Sequence, residues 1–121
     1  MSGDERPILL VEDDPDIRSD LARILEMEGY AVVQAGNGQE ALDVLQAKQP
    51  CVILLDLMMP VMSGWDFRHR QLADPQLRDI PTVVVSGAAT AAQDARKMNA
   101  AGFLQKPFDL QPLLDVIEQY C

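Results

Sequence analysis

The chain has 121 residues, 48% of them hydrophobic, and its 19 acidic against 10 basic side chains give a formal net charge of −9. That length suits one domain with a real core and excludes two, and the apolar content excludes a disordered chain. The acidic balance argues against direct binding to nucleic acid or an anionic membrane, yet suits a divalent cation wherever carboxylates cluster.

The first seven residues, Met1 to Pro7, lack the apolar stretch of a signal peptide, and no segment approaches the ~18 uninterrupted apolar residues of a membrane span. A cytoplasmic domain is expected, with no membrane partner. Ile8-Leu9-Leu10-Val11 reads as a strand that ends in acid, Glu12-Asp13-Asp14. Pro15 suits a first helical turn with Asp14 as N-cap, and Ile17, Leu21, Ile24 and Leu25 recur at helical spacing until Gly29. Ala31 to Ala35 is strand-like, and Asn37 with Glu40 resembles a capping box for a helix carrying Ala41, Leu42 and Leu45. Val52-Ile53-Leu54-Leu55-Asp56 is a continuous apolar run ending in one carboxylate, which suits a strand buried on both faces. Pro60 and Gly64 turn the chain soon after.

A mostly polar helix follows, in which Arg68, His69, Arg70 and Gln71 interrupt the stripe of Trp65, Phe67 and Leu72. Thr82-Val83-Val84-Val85 is a β-branched strand delivering Ser86-Gly87. An alanine-rich helix is expected over 88 to 101, with Gly102 as its C-cap. Phe103-Leu104-Gln105 is a short strand ending in Lys106-Pro107, and Asp109 can cap a last helix carrying Leu110, Leu113, Leu114 and Ile117. Cys51 and Cys121 do not form a disulfide framework, so two reduced thiols are expected, with Cys51 inert in its buried strand.

Five strand-like runs alternating with five helices imply an α/β fold with a parallel sheet, right-handed crossovers and helices on both faces. Ligands of such sheets bind beyond the carboxyl ends of the strands. Those ends deliver Glu12 and Asp13, Asp56, Ser86 and Lys106. Close carboxylates repel unless a cation intervenes, and an all-oxygen donor set suits Mg²⁺. Metal and ammonium can then neutralise a transferring phosphoryl group while a carboxylate attacks phosphorus, with Ser86 donating a hydrogen bond to the product.

These stretches, Leu10 to Asp14, Leu54 to Pro60, Met62-Ser63-Gly64, Val85-Ser86-Gly87 and Lys106-Pro107-Phe108, occur in an order that resembles the receiver domain of two-component response regulators. The resemblance runs from Ile8 to Ile117 and implies a five-stranded doubly wound, flavodoxin-like sheet in the order 2-1-3-4-5, one domain over 1–121 with a core of about 7–119. It implies Asp56 as phospho-acceptor, with Glu12, Asp13, Asp56 and the backbone carbonyl of Met58 holding Mg²⁺. Ser86 would be the switch hydroxyl, Lys106 the phosphoryl-pairing lysine, Phe103 the rotating aromatic, and Lys106–Pro107 a cis peptide. The implied donor is a histidine kinase or histidine phosphotransfer protein. The implied response is a change on the helix 4, strand 5 and helix 5 face that controls a partner or output domain. Such a domain catalyses only its own phosphorylation and slow dephosphorylation, which is not enzyme activity in the usual sense. Both a stand-alone regulator and part of a larger kinase or transcription factor are compatible with the sequence, as is a homodimer, although no distinctive feature marks one.

Blander readings exist for single residues. Asp13 beside Asp14 could be a helix cap, Lys106 a solvated lysine and Ser86-Gly87 a turn, but all must hold together to defeat the site. His69, flanked by Arg68 and Arg70, reads as a solvated helix face. A receiver-like interaction module that is not phosphorylated is the first rival reading; such modules usually lack a key residue, and none is missing here. A phosphohydrolase is the second, but it needs an acid two residues after the nucleophile, where Met58 stands. Arg68 and Gln71 occupy places where the family commonly has leucine, so the third helix is expected to be the least regular and least firmly held.

Overall fold

A computed structural model describes residues 6–59, 61–87 and 89–121. Pro60 and position 88, the expected start of the alanine-rich helix, lie outside the described residues. The elements alternate: β1 (Ile8–Val11), α1 (Pro15–Met27), β2 (Val32–Ala35), α2 (Gly38–Ala47), β3 (Val52–Asp56), α3 (Gly64–Ala73), β4 (Thr82–Ser86), α4 (Ala91–Lys97), β5 (Gly102–Gln105) and α5 (Leu110–Glu118). All strand pairs are parallel and the sheet order is β2-β1-β3-β4-β5. The doubly wound topology expected from the sequence is present, with β3 at its centre.

Side chains that alternate along the strands build a core on each face. Ile8, Leu10, Val52, Leu54, Val83 and Val85 pack with α1 and α5 residues, among them Leu25, Leu113 and Ile117. Leu9, Val11, Ile53 and Leu55 pack on the other face with Ala41 and Leu45 of α2 and Phe67 of α3. Burial on both faces explains why β1, β3 and β4 read as unbroken apolar runs.

The helix starts are set by short polar caps. Asp14 accepts from the amides of Asp16 and Ile17 at 2.9 and 3.1 Å, with Pro15 in the first turn. Asn37 accepts from Glu40 N–H at 2.9 Å, but the Glu40 carboxylate reaches the amide of Gly36, one residue before the usual capping-box donor. Asp109 precedes α5 without a side-chain capping bond. On α1, Leu25 is buried, whereas Ile17 and Ile24 are half-exposed, because the apolar stripe is wider than the strip of helix that meets the sheet.

Three expectations require correction. First, α3 is a regular ten-residue helix, and both Arg68 and Gln71 are buried. The Arg68 guanidinium donates to the carbonyls of Met98 (3.0 Å) and Asn99 (2.7 Å), to Gln71 Oε1 (2.8 Å) and to Thr82 Oγ1 (3.1 Å). Gln71 Nε2 donates to the carbonyls of Leu77 and Ile80 at 2.9 and 3.0 Å. Hydrogen bonding thus replaces the apolar grip that leucines would give, and every Arg68 partner is neutral.

Second, α4 ends at Lys97 rather than near 101, and Gly102 begins β5 instead of capping the helix. Asn99 takes the left-handed conformation, φ 54°, that stops the helix, while Arg68 takes up the carbonyls at that end. Third, Cys51 and Cys121 are joined in a disulfide with a Cα–Cα distance of 5.5 Å, so the expected pair of free thiols is not what the structure holds. The β3 start and the α5 end meet only in the folded chain, across a sequence separation of 70.

Candidate phosphoryl-transfer and metal site

The carboxyl ends of the parallel strands share one edge, and the chemistry-bearing residues leave there. Glu12 and Asp13 follow β1, Asp56 ends β3, Ser86 ends β4, and Lys106 follows β5. The β1–β3 pairing sets Val11 against Leu55, which brings the acidic pair level with Asp56. Asp56 pairs with Val85, so Ser86 stands one residue farther out on the adjacent strand.

The turn after β3 holds Asp56 in place. A Cβ on Gly64 would lie 2.6 Å from the Asp56 carbonyl oxygen and 2.8 Å from Leu57 Cα, closer than any side chain tolerates. Gly64 N–H donates to the Leu57 carbonyl at 3.1 Å, folding the start of α3 back over the strand end. Asp56 Oδ1 accepts from Met58 N–H at 3.2 Å. On the other strand, Glu12 Oε2 accepts from Asp14 N–H at 3.2 Å, and Arg18 donates to the Glu12 carbonyl at 2.8 Å. The Arg18 contact joins α1 to the site and has no signal in the sequence, since an arginine on a polar helix face reads as solvated.

Lys106 Nζ sits 2.7 Å from Glu12 Oε1 and 3.7 Å from Asp56 Oδ2. Its preceding peptide is fixed by Lys106 N–H donating to the Ser86 carbonyl at 2.8 Å, and the Lys106–Pro107 bond is cis. Glu12, Asp56 and Ser86 are buried, while Asp13 faces solvent. Phe103, on β5 opposite Val84, is 45% exposed and therefore not a core residue. His69 is exposed on α3.

The electrostatics follow from crowding. Burial raises the Asp56 carboxyl, the nearby Glu12 charge raises it further, and Lys106 and the Met58 amide offset this only partly, leaving its pKa at about 6. Burial also pushes Glu12 up, but the hydrogen bonds from Lys106 and the Asp14 amide outweigh it and hold Glu12 below its ordinary value. Burial depresses Lys106, and its bond to Glu12 with the Asp56 charge more than restores it, so its pKa is raised.

One carboxylate oxygen from each of Glu12, Asp13 and Asp56 lies within 4.8 Å of the others. Three such oxygens, one of them on a carboxyl that burial and the Glu12 charge make hard to ionise, fit a small hard cation.

The chain matches the family model of the response regulator receiver domain over residues 8–118. It belongs to that family. Among its relatives, the transcriptional regulatory protein PdtaR of Mycobacterium tuberculosis is 33% identical over 114 residues, covering 93% of this chain but 55% of PdtaR. The receiver domain thus spans about half the length of that relative. Sporulation initiation phosphotransferase F of Bacillus subtilis is 32% identical over 114 residues, covering 93% of this chain and 91% of its own. The crystal structure of response regulator protein TrrA from Thermotoga maritima in complex with Mg²⁺-BeF superposes with a TM-score of 0.85 at 26% identity, covering 96% and 99% of the two chains. Receiver domains are signalling modules that bind Mg²⁺ at an acidic site and interact with histidine kinases and output domains. No helix among the described residues is long and apolar enough to cross a membrane.

Proposed function

We propose that residues 1–121 act as a single cytoplasmic receiver domain that accepts a phosphoryl group on Asp56. The observation that carries this reading is the placement of Asp56 within 4.8 Å of the Glu12 and Asp13 oxygens and 3.7 Å from the Lys106 ammonium. Glu12, Asp13, Asp56 and the backbone carbonyl of Met58 would hold Mg²⁺, which supplies positive charge to the phosphoryl oxygens when bound. The donor is a phosphohistidine on a histidine kinase or phosphotransfer protein. An Asp56 carboxylate oxygen attacks phosphorus as the phosphorus–nitrogen bond breaks, and that electron pair leaves with the imidazole. Lys106 turns from Glu12 towards the new phosphoryl oxygens, and the Ser86 hydroxyl donates a hydrogen bond to them. That recruitment draws on β4, and the α4, β5 and α5 face with Phe103 carries the change to a partner or output domain.

Acetyl phosphate with Mg²⁺ tests the reading. The wild type should gain one phosphoryl group by intact mass, and Asp56→Asn should gain none. Equal labelling of both proteins, or of neither, rejects it. A phosphate monoester should not be turned over, because Met58 offers no acid to protonate a leaving group.

A further inference from the structure

We propose that Cys51 and Cys121 are a reversible redox site whose disulfide clamps the C-terminal end of α5 onto the start of β3. The pair lies at the opposite end of β3 from Asp56, so it is separate from the phosphoryl site and does not depend on it. Three observations support reversibility and consequence.

Geometry allows the bond, since the Cα atoms are 5.5 Å apart, well inside bridging range. Access allows its reduction: Cys121 is exposed and Cys51 only half-buried, so an attacking thiolate can reach a sulfur. The fold does not need it. Leu113 and Ile117 are fully buried in the core, and Cys51 N–H is fixed by the Pro7 carbonyl at 3.0 Å. Both redox forms should therefore fold, with the difference falling on the end of α5. There the amides of Gln119, Tyr120 and Cys121 donate only to carbonyls of Val116 and Ile117 in the helix's own last turn. The disulfide is what ties this end covalently to the central strand.

The chemistry needs an oxidant of the peroxide class. One thiolate attacks a peroxide oxygen, the O–O bond breaks, and a sulfenic acid and hydroxide form. The second thiolate attacks that sulfur and expels the oxygen, so two thiols and one peroxide give one disulfide and two waters. A dithiol reverses it, taking both protons onto the cysteines and leaving as its own disulfide.

The whole chain, compared after dithiothreitol and after stoichiometric hydrogen peroxide, provides the test. Oxidation should yield a monomer lacking two hydrogens by intact mass, with no titratable thiol. Its melting temperature should rise by about 10 °C, as expected when a loop of this length is closed in the unfolded chain. Amides near the end of α5 should exchange at least about tenfold more slowly in the oxidised form, and dithiothreitol should undo every change. Cys51→Ser and Cys121→Ser should melt like the reduced wild type, and peroxide, although it can oxidise the remaining thiol, should not raise their melting temperature. Intermolecular dimers as the sole product, equal melting of the two forms, or a peroxide-induced shift that persists in either variant would overturn the proposal. If a variant fails to fold, the comparison of the two wild-type forms decides alone.

Discussion

Lys106 is bonded to Glu12 at 2.7 Å while standing 3.7 Å from Asp56, so the lysine is held beside the Asp56 carboxylate without being committed to it. Glu12 therefore acts on Asp56 twice, by its own negative charge and by occupying the nearest cation. Replacing Glu12 with Gln should remove the repulsion and release Lys106 towards Asp56. In chelator-treated protein the Asp56 carboxyl should then titrate below its starting value of about 6, while burial continues to hold it above an ordinary aspartate. Carbon-detected NMR of the aspartate carboxyls measures this directly; an unmoved Asp56 midpoint would show that burial alone sets it.

The same crowding makes Asp56 a cost to the metal-free fold. Its pKa is higher folded than unfolded, so the folded chain binds the proton more tightly and stability falls as pH rises from about 4 to beyond 6. A shift of this size corresponds to something on the order of 1–3 kcal/mol once partial solvation is allowed for. Asp56→Asn should accordingly be more stable than wild type at pH 7.5 in chelator, roughly by that amount, and nearly equal to it near pH 4. Saturating Mg²⁺ should close the gap. Urea titrations at the two pH values give both numbers, and a variant less stable at pH 7.5 would contradict the account.

Arg68 couples two helices through bonds no apolar side chain could make. It reaches across from α3 to the carbonyls of Met98 and Asn99 just beyond α4, and it shares Gln71 and Thr82 within the same buried cluster. Arg68→Leu strands several of these acceptors and should cost about 2 kcal/mol or more in urea unfolding. Arg68→Leu combined with Gln71→Leu removes both partners in favour of packing, and should recover part of that loss. Strict additivity in the double mutant would mean that the two side chains do not act as a unit.

That cluster also shows where the sequence stops being legible. The strands were readable because a parallel sheet covered on both faces demands unbroken apolar runs, and the strand order followed from resemblance. Glu12, Asp13, Asp56, Ser86 and Lys106 could be named because each stands at the end of such a run. The burial of Arg68 and Gln71 is not legible in the sequence, because periodicity records hydrophobicity and their partners include backbone carbonyls at Met98, Asn99, Leu77 and Ile80. The early end of α4 has the same origin, since the Arg68 contacts sit where Asn99 reverses the chain. The Cys51–Cys121 bond is not legible either, because a cysteine opening a strand and another beyond the last helix say nothing about each other until the sheet is built.

Val61 offers a last case in which the local backbone is at odds with its residue. It has φ 67° and is 84% exposed, in the loop that leads from Asp56 to α3. A β-branched side chain in the left-handed region costs roughly 1–2 kcal/mol, and at this exposure it gains little by burial. The conformation is instead imposed by its neighbour: Met62 is buried, and its carbonyl accepts from Gly38 N–H at 3.3 Å, anchoring the loop to the start of α2. Val61→Asn keeps the anchor and supplies a residue that tolerates this backbone, so it should raise stability by about 1 kcal/mol, read as a melting shift of several degrees. Val61→Ile should give no such gain, because it keeps the branched Cβ. If Val61→Asn melts no higher than wild type, the loop is not paying for its conformation at this residue.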